Sequence, residues 1–96
     1  AREPFTDVIV DEKNSEVIVT AEIPGVAKED IRINAAEDSI EIRAETRDKK
    51  YHKNLPLAVE INPNSTNAKY NNGILEIKAR LQKASLLRKG VDIKIE

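Results

Sequence analysis

Few side chains in this chain could do covalent chemistry. His52 is the only histidine. It sits between Tyr51 and Lys53 with no carboxylate at a suggestive spacing, whereas nucleophilic or general acid–base catalysis needs a nucleophile, a base and a group that orients them. It therefore reads as a strand-face residue. With no cysteine, the chain has neither disulfides nor a thiolate zinc site, and one histidine is too few for structural zinc. Glu37-Asp38 matches a calcium loop in charge only, without the regular oxygen spacing, and reads as a solvated turn. Gly25, Gly73 and Gly90 are isolated and form no phosphate cradle. Phe5, Tyr51 and Tyr70 are the only aromatic residues, too few to interleave with basic residues as base-stacking platforms. No enzyme activity, cofactor or metal is expected, and neither a nucleotide nor a nucleic acid is expected as a partner.

The most informative side chains are apolar. In an extended Ile93-Lys94-Ile95, both isoleucines project to one side and Lys94 to the other. No strand in their sequence neighbourhood offers a partner. Two readings stay open: a last short strand that folds onto its own domain, or a plug that enters a groove on a neighbouring subunit. Lys83 to Gly90, polar or mixed, would serve as the tether.

The elements that would position these residues follow from period-two alternation of β-branched residues, the pattern of half-buried strands. A first hairpin is expected from Asp7–Asp11 and Val17–Ile23, turning near Lys13-Asn14-Ser15, with Val17, Val19, Ala21 and Ile23 on the buried face. Pro24-Gly25 breaks the ladder, since proline donates no hydrogen bond and glycine tolerates positive φ. A second hairpin is expected from Ile31, Ile33 and Ala35, a turn at Glu37-Asp38-Ser39, and Ile40, Ile42 and Ala44. A polar connection, Glu45 to Lys50, leads to a strand over Tyr51–Leu57 that ends, or lies at an edge, at Pro56. Ile61 to Asn67 reads as a loop. Ala68-Lys69-Tyr70 then meets Ile74–Leu81 across the tight turn Asn71-Asn72-Gly73, with Leu75, Ile77 and Ala79 inward. About seven short strands without intervening helices predict an all-β sandwich of two antiparallel sheets.

The 96 residues fit one domain, expected over residues 1–82, followed by an extension over 83–96. Folding at this length buries roughly 65% of the unfolded chain's surface, which leaves little room for a deep ligand cavity. Lys and Arg (16) nearly balance Asp and Glu (17) and are interspersed with them, which argues against a nucleic-acid footprint or a polybasic membrane anchor. No apolar stretch approaches the ~18 residues of a membrane span, so the expected setting is cytoplasmic, with no membrane partner. The start at Ala1 and the absence of methionine suggest residues upstream of this sequence.

Two segments and the tail carry a resemblance. Ile23-Pro24-Gly25-Val26-Ala27-Lys28-Glu29-Asp30-Ile31 resembles the P-G-x-x-K-E-D-I segment of α-crystallin domains. Ala68-Lys69-Tyr70-Asn71-Asn72-Gly73-Ile74-Leu75 is similar to the A-x-x-x-N-G-V-L signature of the same domain, and Ile93-Lys94-Ile95 matches the I-x-I tail. The sequence thus resembles a small heat-shock protein of prokaryotic or archaeal type. The resemblance implies an immunoglobulin-like sandwich and an ATP-independent holdase that binds unfolding client proteins, with dimers that assemble into larger homo-oligomers through the tail. It also implies a docking groove for Ile93 and Ile95, with Ile31, Ile33 and Ala35 on one side and Ala68 and Tyr70 on the other.

Two features depart from the pattern. The connection Glu45-Thr46-Arg47-Asp48-Lys49-Lys50 is too short for the extra strand that non-metazoan members exchange between partners, so a different dimer, a weak one or a monomeric core is expected. Leu81-Gln82-Lys83 stands where a proline often follows the last strand. The rival readings are a co-chaperone adaptor of CS-domain type, against which the I-x-I tail argues, and a small hydrolase or ligand-binding sandwich, which lacks catalytic sets.

Overall fold

A computed structural model describes residues 1–82 and 93–96. Seven strands alternate with short turns: β1 (Phe5–Asp11), β2 (Glu16–Glu22), β3 (Ile31–Ala36), β4 (Ser39–Glu45), β5 (Lys50–Pro56), β6 (Asn67–Asn71) and β7 (Ile74–Arg80). They form two antiparallel sheets, ordered β1-β2-β7-β6 and β3-β4-β5. The remaining helical structure among the described residues is two single turns of 3-10 helix, Lys28–Asp30 and Pro63–Ser65. This is the expected all-β sandwich.

The alternation places the core as anticipated. Val17, Val19 and Ala21 lie opposite Ala79, Ile77 and Leu75 within one sheet, Ile23 follows just past the end of β2, and Ile40, Ile42 and Ala44 come from the middle strand of the other sheet. All are buried. The β1–β2 turn is fixed by Asp11, whose carboxylate accepts from the Asn14 backbone and side-chain N–H groups at 3.1 and 2.8 Å. At the β6–β7 turn, Asn72 and Gly73 both have positive φ, 52° and 81°, which defines the primed turn whose twist suits a two-residue hairpin. A Cβ on Gly73 would also lie 3.3 Å from the Pro24 backbone, a tight approach that adds to the preference set by the positive φ. Residues 46–49 join β4 to β5 as a tight connection, closed by Thr46 N–H to Lys49 C=O at 2.8 Å. The connection therefore contains no further strand.

One core contribution has no periodic signature. Ile61 opens what reads as a polar loop, yet it has no exposed surface and forms an isolated bridge with buried Leu81. Its N–H donates to the Glu37 carbonyl at 2.8 Å, which ties the loop to the β3–β4 turn. The side chain closes one end of the sandwich. Ile61→Ala is expected to cost about 2 to 5 kcal/mol in urea unfolding, the range for a buried isoleucine whose surroundings relax only partly.

Candidate functional site

The chain passes from one sheet to the other at Ile23–Val26, where the β-ladder is interrupted and carbonyls need other partners. Two tyrosines supply them. The Tyr70 hydroxyl on β6 donates to the Ile23 carbonyl at 2.6 Å, with the Val26 carbonyl at 3.1 Å. The Tyr51 hydroxyl on β5 donates to the Pro24 carbonyl at 3.0 Å. The Ile23 N–H in turn reaches the Gly73 carbonyl at 2.8 Å. This segment is thus held against both sheets, and β3 follows it after a single 3-10 turn.

The consequence is a groove of about 350 Å³ between the two sheet edges, β3 and β6. Ile31 and Ile33 line one side and Ala68 and Tyr70 the other, with Leu75 among the lining residues. Lys28, Lys69 and Asn71 add polar groups. Four of the five residues expected for the groove are therefore brought together. Ala35, further along β3 on the same face as Ile31 and Ile33, does not line the groove, although it packs on the core. Ile93 and Ile95 belong to no strand and are 81% and 97% exposed. The expected tether, Lys83 to Gly90, and the start of the 83–96 extension lie outside the described residues.

A second hollow, about 370 Å³, is lined mainly by charged groups of both signs, among them Asp30, Arg32, Arg43, Glu45 and Lys50. Lys50 already pairs with Glu45 at 3.3 Å.

His52 has a partner that its sequence neighbourhood does not reveal. Its Nε2 donates to Glu41 Oε2 at 2.9 Å, and Arg43 donates to the same oxygen at 3.2 Å. The β4–β5 register sets Arg43 opposite His52 and brings Glu41 to the diagonal position. The hydrogen bond from His52, and secondarily the one from Arg43, lowers the Glu41 pKa from its ordinary value of 4.5. The three groups form a hydrogen-bonded network on an open strand face. Among the described residues, no cluster of His, Cys, Asp and Glu is suited to a metal ion, and no helix is long and apolar enough to cross a membrane.

The two-sheet antiparallel sandwich fits the α-crystallin-type domain that the sequence resembles, and comparisons with known proteins agree. Residues 9–96 match the Hsp20/alpha crystallin family, and the chain belongs to that family of small heat-shock chaperones. No curated protein matches the chain significantly. Among solved structures, the Del-C4 mutant of hsp14.1 from Sulfolobus solfatataricus P2 is 26% identical, with a TM-score of 0.74 over 83% of this chain and 76% of that one. Heat shock protein 16.0 from Schizosaccharomyces pombe shares the fold at 20% identity and a TM-score of 0.74, over 96% of this chain and 76% of that one. A small heat-shock protein from Xylella fastidiosa does so at 16% identity and a TM-score of 0.69, over 97% and 95% of the two chains.

Tyr70→Phe keeps the ring in the groove wall and removes only the hydroxyl. It is expected to destabilise the domain by about 1 to 3 kcal/mol in urea unfolding, because the crossover carbonyls lose a partly buried donor. Glu41 contributes with the opposite pH sign from a basic group. Its folded-state pKa is depressed, so its contribution is complete above the unfolded value and is lost as pH falls through the folded one. Glu41→Gln should therefore flatten the loss of stability below about pH 4.5, as measured by urea midpoints across the acid range.

Proposed function

We propose that this chaperone is an ATP-independent holdase whose β3–β6 groove binds apolar extended segments, either the Ile93-Lys94-Ile95 tail of a subunit or a stretch of an unfolding client. The carrying observation is the open groove walled by Ile31, Ile33, Ala68 and Tyr70 in a chain that also presents two exposed isoleucines at alternate positions. An extended segment aims alternate side chains to one side, so an I-x-I sequence can place both isoleucines into one groove. The cytoplasmic setting and the homo-oligomer expected from the sequence belong to the same proposal.

Energetics favour a weak, exchangeable contact. Burying two isoleucines contributes roughly 3 to 6 kcal/mol, and ordering backbone costs about 1 to 2 kcal/mol per residue. One tail alone binds marginally. Several tails in one assembly hold it together, because each later contact is intramolecular, while any single tail can still leave its groove. Release exposes an apolar surface to a client without nucleotide.

Two measurements test this. Heating a heat-labile globular enzyme with the protein, without nucleotide, should delay the rise in light scattering; no delay with the full-length protein would overturn the holdase reading. Ile93→Ser/Ile95→Ser should lower the oligomer mass in sedimentation, and an unchanged mass would reject tail docking.

A further inference from the structure

The β3–β6 groove differs from the rest of the surface in its charge. Over the whole chain, 16 Lys and Arg are interspersed with 17 Asp and Glu. The other hollow follows that average, with Asp30 and Glu45 beside Arg32, Arg43 and Lys50. The groove does not: the charged residues that line it are Lys28 and Lys69, with no carboxylate among the described lining residues. One cation stands on each wall. Lys28 belongs to the 3-10 turn that leads into β3, just ahead of Ile31, and Lys69 lies on β6 between Ala68 and Tyr70. Both are exposed.

Neither cation is neutralised among the described residues, where the ion pairs involve Arg43, Lys50, His52 and Lys53. The carboxylate of Asp30, two positions beyond Lys28, accepts instead from the Ala27 N–H at 2.9 Å. Glu76 is opposite Lys69 in the β6–β7 register, yet the two form no ion pair. Two uncompensated like charges beside an apolar trough attract an occupant of opposite sign. The chain contains a segment of that chemistry, Asp92-Ile93-Lys94-Ile95-Glu96. In an extended conformation Asp92 and Glu96 stand about 13 Å apart, beyond the isoleucine pair at either end and on the side opposite it. With Ile93 and Ile95 turned into the groove, the two carboxylates lie toward solvent, where the exposed lysines are, and Lys94 faces outward midway between them.

We propose that Lys28 and Lys69 determine specificity, making the groove selective for an extended apolar pair flanked by carboxylates. The inference rests on the groove reading given above and adds the class of segment taken. Acidic-flanked apolar segments, of which Asp92–Glu96 is this chain's own example, bind ahead of neutral-flanked or basic-flanked segments of equal hydrophobicity. Burial of the apolar pair supplies affinity common to all of them, and the flanking charges supply the difference. Because both lysines are exposed, each ion pair is weak and salt-sensitive, so the selection is a matter of a few-fold and fades as ionic strength rises.

The test uses the full chain carrying Ile93→Ser/Ile95→Ser, whose groove lacks its own plug, and peptides spanning residues 91–96 with both ends capped so that the termini add no charge. Affinities are read by NMR titration, which resolves weak binding. At an ionic strength on the order of 0.01 M, the Asp92→Asn/Glu96→Gln peptide should bind about threefold more weakly than the native one, and the Asp92→Lys/Glu96→Lys peptide about tenfold more weakly. Near about 1 M salt the differences should largely vanish. In the protein, Lys28→Gln/Lys69→Gln should level the three peptides and Lys28→Glu/Lys69→Glu should reverse their order, with urea midpoints close to the parent's because both positions are exposed. Equal affinity of the three peptides at low salt, all tighter than an Ile93→Ser/Ile95→Ser peptide, would overturn the selection and leave the groove reading standing. If no peptide bound more tightly than the serine peptide, the groove reading would fall and this inference with it. An order of affinities unchanged by Lys28→Glu/Lys69→Glu would overturn the assignment to these two lysines.

Discussion

The carbonyls of Ile23, Pro24 and Val26 leave the β-ladder where the chain crosses between sheets, and a buried carbonyl without a donor is costly. Tyr70 and Tyr51 meet that demand from opposite sheets, through hydroxyls at 2.6 and 3.0 Å from the Ile23 and Pro24 carbonyls. The crossover is thereby fastened to both layers. Because Tyr70 also supplies a wall of the groove, the bond that closes the fold sets the distance between β3 and β6. Gly73 contributes from the other side: its positive φ shapes the β6–β7 turn, and a Cβ there would crowd the Pro24 backbone at 3.3 Å. The groove is thus a by-product of how the two sheets are joined.

A sandwich of two open sheets cannot eliminate edges, as a closed barrel does. This chain treats its edges differently. Arg32 and Lys69 put charge on the strands that border the groove, and Arg2 covers part of β5. The groove keeps apolar side chains on both walls, while the adjoining backbone edges are less inviting to open-ended sheet growth. That combination suits the holdase role proposed above for this member of the Hsp20/alpha crystallin family.

The 46–49 connection illustrates how a short local segment sets what the edges can do. Thr46 closes it through its own backbone and through its hydroxyl, which accepts from Asp48 and Lys49 N–H groups at 3.3 and 3.0 Å. β4 and β5 are direct neighbours with nothing between them.

The strands, their buried faces and the β6–β7 turn were legible in the sequence, because each rests on a local rule: β-branched residues at period two, and Asn-Gly where φ must be positive. The segment around Pro24-Gly25, the Asn72-Gly73 turn and the I-x-I tail also carried enough of the pattern to indicate the family. Tertiary structure decided what joins residues distant in sequence. Ile61 looks like the start of a polar loop and becomes core only because Leu81 and the 37–38 turn close over it. His52 appears isolated until the β4–β5 register delivers Glu41 from eleven positions away. Alternation showed that Ile31, Ile33 and Ala35 share a face, but only the packing of one sheet on the other leaves Ala35 outside the groove and brings Leu75 into it. Period two fixes the side of a strand on which a residue lies; which edge stands beside which is set by the inter-sheet crossover and the hydrogen bonds that hold it.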